Sequence, residues 1–84
     1  MIFVNQTSFT SPAFRLDDRL LKEVFVGITG PGPVSIEQLG EDLVWRSYPE
    51  STLSGPTAQI VTLRAGSWRV VISAATPTTV EVIL

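Results

Sequence analysis

The chain contains neither cysteine nor histidine, so any chemistry it does runs on carboxylates, hydroxyls, guanidiniums and indoles. That excludes a thiolate nucleophile, a disulfide framework and a Ser-His-Asp triad, and it takes away the commonest zinc and haem ligands. Two adjacent acidic pairs remain, Asp17-Asp18 and Glu41-Asp42. Calcium needs about six to eight oxygen ligands drawn from several positions. Two carboxylates in sequence, without a glycine-spaced Asp/Asn loop, read as solvated turn residues. A glycosidase would need its pair held across a cleft, and a chain of 84 residues has little room for one. The Gly30-Pro31-Gly32-Pro33 run is no phosphate cradle, because proline lacks the N–H groups that would do the cradling and no lysine follows. It reads instead as a fixed reversal between strands. We therefore expect no catalytic residue, no cofactor and no metal.

The remaining candidates are contact-making side chains. Trp45 and Trp68 are the largest apolar groups and are expected to fill the core. A sugar-stacking platform is the alternative, but alternation puts Trp45 and Tyr48 on opposite faces of a strand. Five Arg stand against one Lys, and arginine is the cation favoured at interfaces for its planar, stacking fork. Arg46, Arg64 and Arg69 lie in or beside expected strands and join Tyr48 as interaction candidates. The N-terminal stretch adds Ile2, Phe3, Val4 and Phe9, interleaved with Asn, Gln, Thr and Ser. A domain this small does not easily bury four such side chains at its own edge. They are expected to pair as an edge strand internally or to join a neighbour's sheet.

Composition says what must position these groups. The chain is 44% hydrophobic and 17% charged, with a net charge of −2, a mean hydropathy of +0.30 and a pI near 4.8. Soluble domains carry about 25% charge, so the surface is short of the groups that keep small proteins apart. The acidic balance and scattered cations argue against nucleic acid. Apolar runs far shorter than the ~20 residues of a membrane span argue against a transmembrane helix. No signal peptide is visible at the N-terminus. Asn5-Gln6-Thr7 fits a glycosylation sequon but has no secretory context to support it.

Val, Ile and Thr number ten, six and nine, a β-branched content that suits pleated strands. Gly and Pro punctuate short apolar runs at intervals of roughly 10–15 residues, the pattern of an all-β sandwich or barrel. Strands are expected at 2–4, 14–16, 24–28, 34–39, 43–48, 58–63, 68–73 and 80–84. Two segments carry helical signals. Ser35-Ile36-Glu37-Gln38 matches a capping box but is too short for a stable helix, and strand is preferred. Leu16, Leu20, Leu21, Val24 and Phe25 have helical spacing, which a short turn near 17–22 would reconcile with the following strand. The fold class expected is all-β: a single antiparallel β-sandwich, Ig-like or jelly-roll-like, of seven or eight short strands. Residues 1–13 would be an N-terminal arm or edge strand and 14–84 the sandwich.

From the Gly-Pro run onward the signals follow a recognisable order. A strand carrying Val34, Ile36 and Glu37 leads to Glu41-Asp42 in a turn, then Trp45 and Tyr48-Pro49-Glu50. An apolar strand ending at Leu63, the Ala65-Gly66 turn, Trp68-Arg69-Val70 and a closing Thr78-Thr79-Val80-Glu81-Val82 strand follow. Over residues 14–84 this order resembles the small β-sandwich virion proteins of tailed bacteriophages: capsid decoration (cement) proteins, head fibres and tail adaptors. The resemblance implies a non-enzymatic virion structural protein, with capsid cement leading and a tail or fibre adaptor behind it. A carbohydrate-binding module of a host-recognition fibre is the rival from another class. The implied partners are further copies of itself, a trimer among the candidates, and a major capsid or other virion protein. Neither nucleic acid nor membrane is implied, and glycan is secondary. The implied location is the virion, at the capsid surface, after synthesis in the host cytoplasm. Deleting residues 1–12 is then expected to weaken assembly and spare the fold.

Overall fold

The computed structural model describes residues 1–17, 21–47 and 53–84. It contains seven strands: β1 (Ile2–Thr10), β2 (Phe14–Leu16), β3 (Lys22–Thr29), β4 (Val34–Leu39), β5 (Trp45–Ser47), β6 (Thr57–Leu63) and β7 (Gly66–Ile83). No helix occurs among the described residues. All pairings are antiparallel, and the strands form one curled sheet in the order β5-β4-β7-β3-β6, with β1 and β2 also on β7.

The 18-residue β7 is the spine of this sheet. Its Ile72 pairs with Phe9 on one flank and Val34 on the other, and its Glu81 pairs with Ile2 and Gly27 in the same way. β1 and β2 therefore run along one side of β7, and β3 and β4 run end to end along the other. β6 lies outside β3, and β5 lies outside β4. The sheet thus has two wings. The first holds β2, β4, β5 and residues 66–73 of β7; the second holds β3, β6 and residues 78–83. β1 crosses from one to the other.

The Gly-Pro run lies where the wings meet, and it is a corner rather than the expected reversal. β3 and β4 both run antiparallel to β7, so the chain passes residues 30–33 without changing direction. From Thr29 to Val34 the chain takes five steps, while β7 takes seven between Thr79 and Ile72, so β7 follows the longer path round the bend. Gly30 (φ 108°) and Gly32 (φ 73°) have backbone conformations closed to most L-residues. A Cβ on Gly30 would stand 2.9 Å from the Pro77 carbonyl oxygen. The corner is tied down by the buried Thr78, whose Oγ1 accepts from the Gly32 N–H (3.3 Å) and donates to the Thr76 carbonyl (3.0 Å). The Ser73 N–H donates to Pro33 O at 3.3 Å and the Gly55 N–H to Pro31 O at 3.0 Å. On the other flank β1 bends at Asn5 (φ 52°), beside its register shifts; asparagine tolerates this left-handed conformation better than most side chains.

Alternation survives the bend. Trp68, Val70, Ile72, Thr78, Val80 and Val82 of β7 are all buried, so one face of one strand lines the core in both wings. Leu16, Val24, Val26, Ile28, Val34, Ile36, Val61 and Leu63 complete the cluster, with Phe3, Phe9, Phe14, Leu53 and Ala74 packed against it. Each fully buried side chain of this kind contributes about 1.5–3 kcal/mol. Trp68 is fully buried as expected, and its Nε1 donates to the Arg64 carbonyl at 3.0 Å. The two strands expected at 68–73 and 80–84 are parts of one. Pro77 does not end it, because it falls in the bend, where β7 has no ladder partner among the described residues.

Candidate interaction surface

The named candidates do not converge on one site. Residues 2–10 form an edge strand of the same sheet rather than an arm standing off it. Alternation divides their side chains. Phe3 and Phe9 turn inward, pack on the core and meet each other with ring centroids 5.0 Å apart. Ile2 and Val4 turn outward on the second wing and are 55% and 52% exposed. Ser11 then anchors the chain: its N–H donates to Val70 O and its Oγ accepts from the Val70 N–H, both at 2.8 Å. Tyr48 lies outside the described residues, as do Asp18, Pro49 and Glu50.

The three arginines have three different settings. Arg46 is exposed and holds Asp42 with a two-pronged contact, Nη2 to Oδ2 at 2.6 Å and Nη1 to Oδ1 at 3.1 Å. That contact, together with the Val44 N–H donated to Asp42 Oδ1, keeps the Asp42 carboxyl below its ordinary pKa and raises that of Arg46. Arg64 donates its Nε to Gln38 Oε1 at 2.9 Å. Arg69 lies on the outer face of the first wing, half-buried, with Nε 2.6 Å from Glu37 Oε1 and its guanidinium over the Trp45 ring.

Trp45 is therefore not a core residue. Its partner on β4 is Leu39, which alternates with the buried Ile36 side of that strand, so both turn to the outer face. Arg69 covers one face of the indole. Of the acidic pairs, Glu41 and Asp42 are exposed turn residues, and Asp17 makes an exposed contact with Arg15. No group of three metal-ligating side chains occurs among the described residues.

A shallow depression of about 460 Å³ lies at the ends of the strands, between Arg15, Gln38, Glu41 and Arg64. Its arginines are already engaged, by Asp17 and Gln38 respectively.

What stands out is the outer face of the second wing, where the sequence reading had singled out Ile2 and Val4 but not Phe25, Ile60 and Ile83. The outward residues form rows across the strands. Ile60, Phe25 and Ile83 are direct cross-strand neighbours on β6, β3 and β7; Ala58, Gly27, Glu81 and Ile2 make the next row. Ile60 and Ile83 are 56% and 53% exposed. Between the rows the small Ala58 and Gly27 leave a shallow depression of about 270 Å³, walled by Phe25, Ile2, Thr29, Thr79 and Glu81. Met1 and Leu84 extend the exposed apolar area at the chain ends, which are joined by Met1 N to Val82 O at 2.7 Å. The sequence did carry a signal for this face. Val24-Phe25-Val26, Ile60-Val61 and Val82-Ile83-Leu84 are unbroken apolar runs, so in β3, β6 and the end of β7 both sides of the strand are apolar.

Comparison of the chain with protein-family models, with curated proteins and with solved structures finds no match.

Proposed function

We propose that this chain is a non-enzymatic structural protein that works by self-association and by covering a larger protein's surface. The observation that carries the reading is the gathering of Ile2, Val4, Ile60 and Ile83, with the half-buried Phe25, on the outer face of one wing. A contiguous exposed apolar patch on a small chain with few charges is a surface that water disfavours and a protein partner can cover. The order of motifs over residues 14–84 supports a phage particle as the setting, with capsid cement ahead of a tail or fibre adaptor. A carbohydrate-binding module stands behind these readings, because Arg69 already covers one of the two faces of the Trp45 indole on which a sugar ring could stack.

In this proposal the curled sheet closes as a β-sandwich. Support comes from the short link between β6 and β7. Leu63 pairs with Lys22 at the far end of the second wing, and Gly66 pairs with Leu16 at the far end of the first. Arg64 and Ala65 alone join them, and three Cα–Cα steps reach at most about 11 Å, close to the ~10 Å spacing of stacked sheets. Gln38 fastens the same place, accepting from Arg64 and donating to the Ala65 carbonyl at 3.3 Å.

The test is molecular mass by light scattering from nanomolar to millimolar protein. A weight-average mass rising above the 9.1 kDa of one chain is expected. A mass that stays there throughout overturns the reading.

A further inference from the structure

The free edge of β6 identifies the partner of this association more closely. β6 pairs with β3 over seven consecutive residues, Leu63↔Lys22 to Thr57↔Ile28, with no bulge. It is the end strand of its wing, and nothing among the described residues pairs with its other side. Its sequence, Thr-Ala-Gln-Ile-Val-Thr-Leu, holds no charge and no proline. Natural edge strands are usually blunted by a lysine, a proline, a bulge or shortness. The other edges among the described residues are blunted: β1 is bent at Asn5 with two register shifts, and β2 and β5 are three residues long and carry Arg15 and Arg46. β6 has none of these protections.

Hydrogen-bond alternation shows which backbone groups are presented. Val82 turns both its N–H and its C=O to Met1, so Glu81 and Ile83 turn theirs to β3. Their partners Gly27 and Phe25 face β7 in return, which leaves Val24, Val26 and Ile28 facing β6. Val61, Gln59 and Thr57 answer them. Ala58, Ile60 and Thr62 therefore point their N–H and C=O groups out of the open edge.

We propose that this edge is a two-fold dimer interface, in which β6 pairs antiparallel with β6 of a second copy about an axis at Ile60. This inference rests on the self-association reading above and deepens it. In that register Ile60 exchanges both backbone bonds with the partner's Ile60. Ala58 exchanges both with the partner's Thr62, and Thr62 with the partner's Ala58. Every outward-facing group of the three residues is satisfied, and no charge meets a like charge. The Ile60–Phe25–Ile83 row runs on through the partner's Ile60 into one apolar stripe across both copies. Head-to-tail growth is disfavoured because the bent β1 cannot match a straight seven-residue edge, so the assembly closes as a dimer. The edge is about 24 Å long and offers less than the ~800 Å² per partner of a standard interface. The dimer is accordingly expected at micromolar rather than nanomolar protein.

The absence of native cysteine makes a direct test clean. Paired residues of an antiparallel ladder have Cα atoms about 5.5 Å apart, within disulfide reach. Full-length Ile60→Cys and Ile83→Cys chains, at similarly exposed sites, are oxidised in parallel and followed on non-reducing gels. The proposal expects Ile60→Cys to form covalent dimer at least tenfold faster. Equal rates, or a faster Ile83→Cys, overturn it. Ile60→Pro, which removes an N–H that only the partner would use, should stay monomeric where the wild type dimerises. Persistence of the dimer in a folded Ile60→Pro chain overturns the proposal; if this variant fails to fold, the cysteine pair decides. Wild-type association without selective Ile60→Cys cross-linking defeats the edge dimer alone. No association at any concentration defeats the reading beneath it as well.

Discussion

The guanidinium carbon of Arg69 lies 4.4 Å from the centroid of the Trp45 ring, although the two residues sit on strands separated by β4. The strand between them supplies Glu37, whose carboxylate takes the Arg69 Nε at 2.6 Å. One arginine thus joins three strands across the outer face of the first wing. Both partners of the ion pair are largely shielded, with side-chain exposures of 29% and 19%.

Removing that clasp should affect both stability and fluorescence. Arg69→Ala loses a partly desolvated cation–π contact and an ion pair, together worth about 1–2 kcal/mol. Trp68 is buried and keeps its bond to Arg64 O, so any change in tryptophan emission belongs to Trp45. A red shift in emission and a lower midpoint in chemical denaturation are expected. Unchanged emission in the variant would mean that Arg69 does not cover the indole in solution.

The Asp42–Arg46 contact gives a pH dependence of definite sign. The Arg46 hydrogen bond, followed by that from Val44 N–H, holds the folded-state pKa of Asp42 below its ordinary value. The stabilisation from this lowered pKa is complete above the unfolded pKa of about 3.9 and is lost as pH falls through the depressed folded value. Both groups are exposed, so the effect on unfolding is small and salt-sensitive. Carboxyl chemical shifts should place the Asp42 midpoint below those of ordinary aspartates, and Arg46→Ala should bring it back up. An Asp42 midpoint that Arg46→Ala leaves in place would count against the contact.

At the corner, Thr78→Val keeps the shape of a buried side chain and removes its hydroxyl. The Gly32 N–H then loses its acceptor and the Thr76 carbonyl a donor, at a cost of about 1–3 kcal/mol. Gly55→Ala should be worse, since the new methyl would collide with the Gly30 carbonyl oxygen and the Ile28 side chain. Equilibrium denaturation of the two variants checks the order. Thr78→Val matching the wild type would show that the hydroxyl does not hold the corner.

These residues also show how much could be read in advance. The runs at 14–16 and 34–39 are strands with those bounds, and 24–28 and 58–63 lie within β3 and β6, because short apolar runs between turn formers, β-branched in all but the first, leave few local alternatives. Direction is different. Gly-Pro-Gly-Pro breaks the ladder equally well at a reversal and at a corner, and which one occurs is decided by pairing with β7, more than thirty residues away. Trp45 was misplaced for a related reason. Period-two alternation shows that Trp45 and Arg46 face opposite ways, but not which way is inward; the partner Leu39 and the contact with Arg69 decide that. The outward row of Ile60, Phe25 and Ile83 was hidden because strands apolar on both sides give no alternation to read.

Truncation is the sharpest test of the N-terminal strand. The sequence alone suggested that residues 1–12 are dispensable for folding, but the structure gives them a structural part. β1 pairs with β7 in both wings, Phe3 and Phe9 pack on the core, and Ser11 exchanges two hydrogen bonds with the buried Val70. Losing them strips the ladder from one flank of the spine and uncovers part of a core that an 84-residue chain has no surplus to replace. Deletion of residues 1–12 should therefore abolish cooperative thermal unfolding and near-ultraviolet tryptophan signals. The double variant Ile2→Ser, Val4→Ser, which changes only outward side chains of the same strand, should keep both. A truncated chain that still melts cooperatively would show that the remaining strands hold the core without β1, and that the N-terminal segment is free to serve a neighbour.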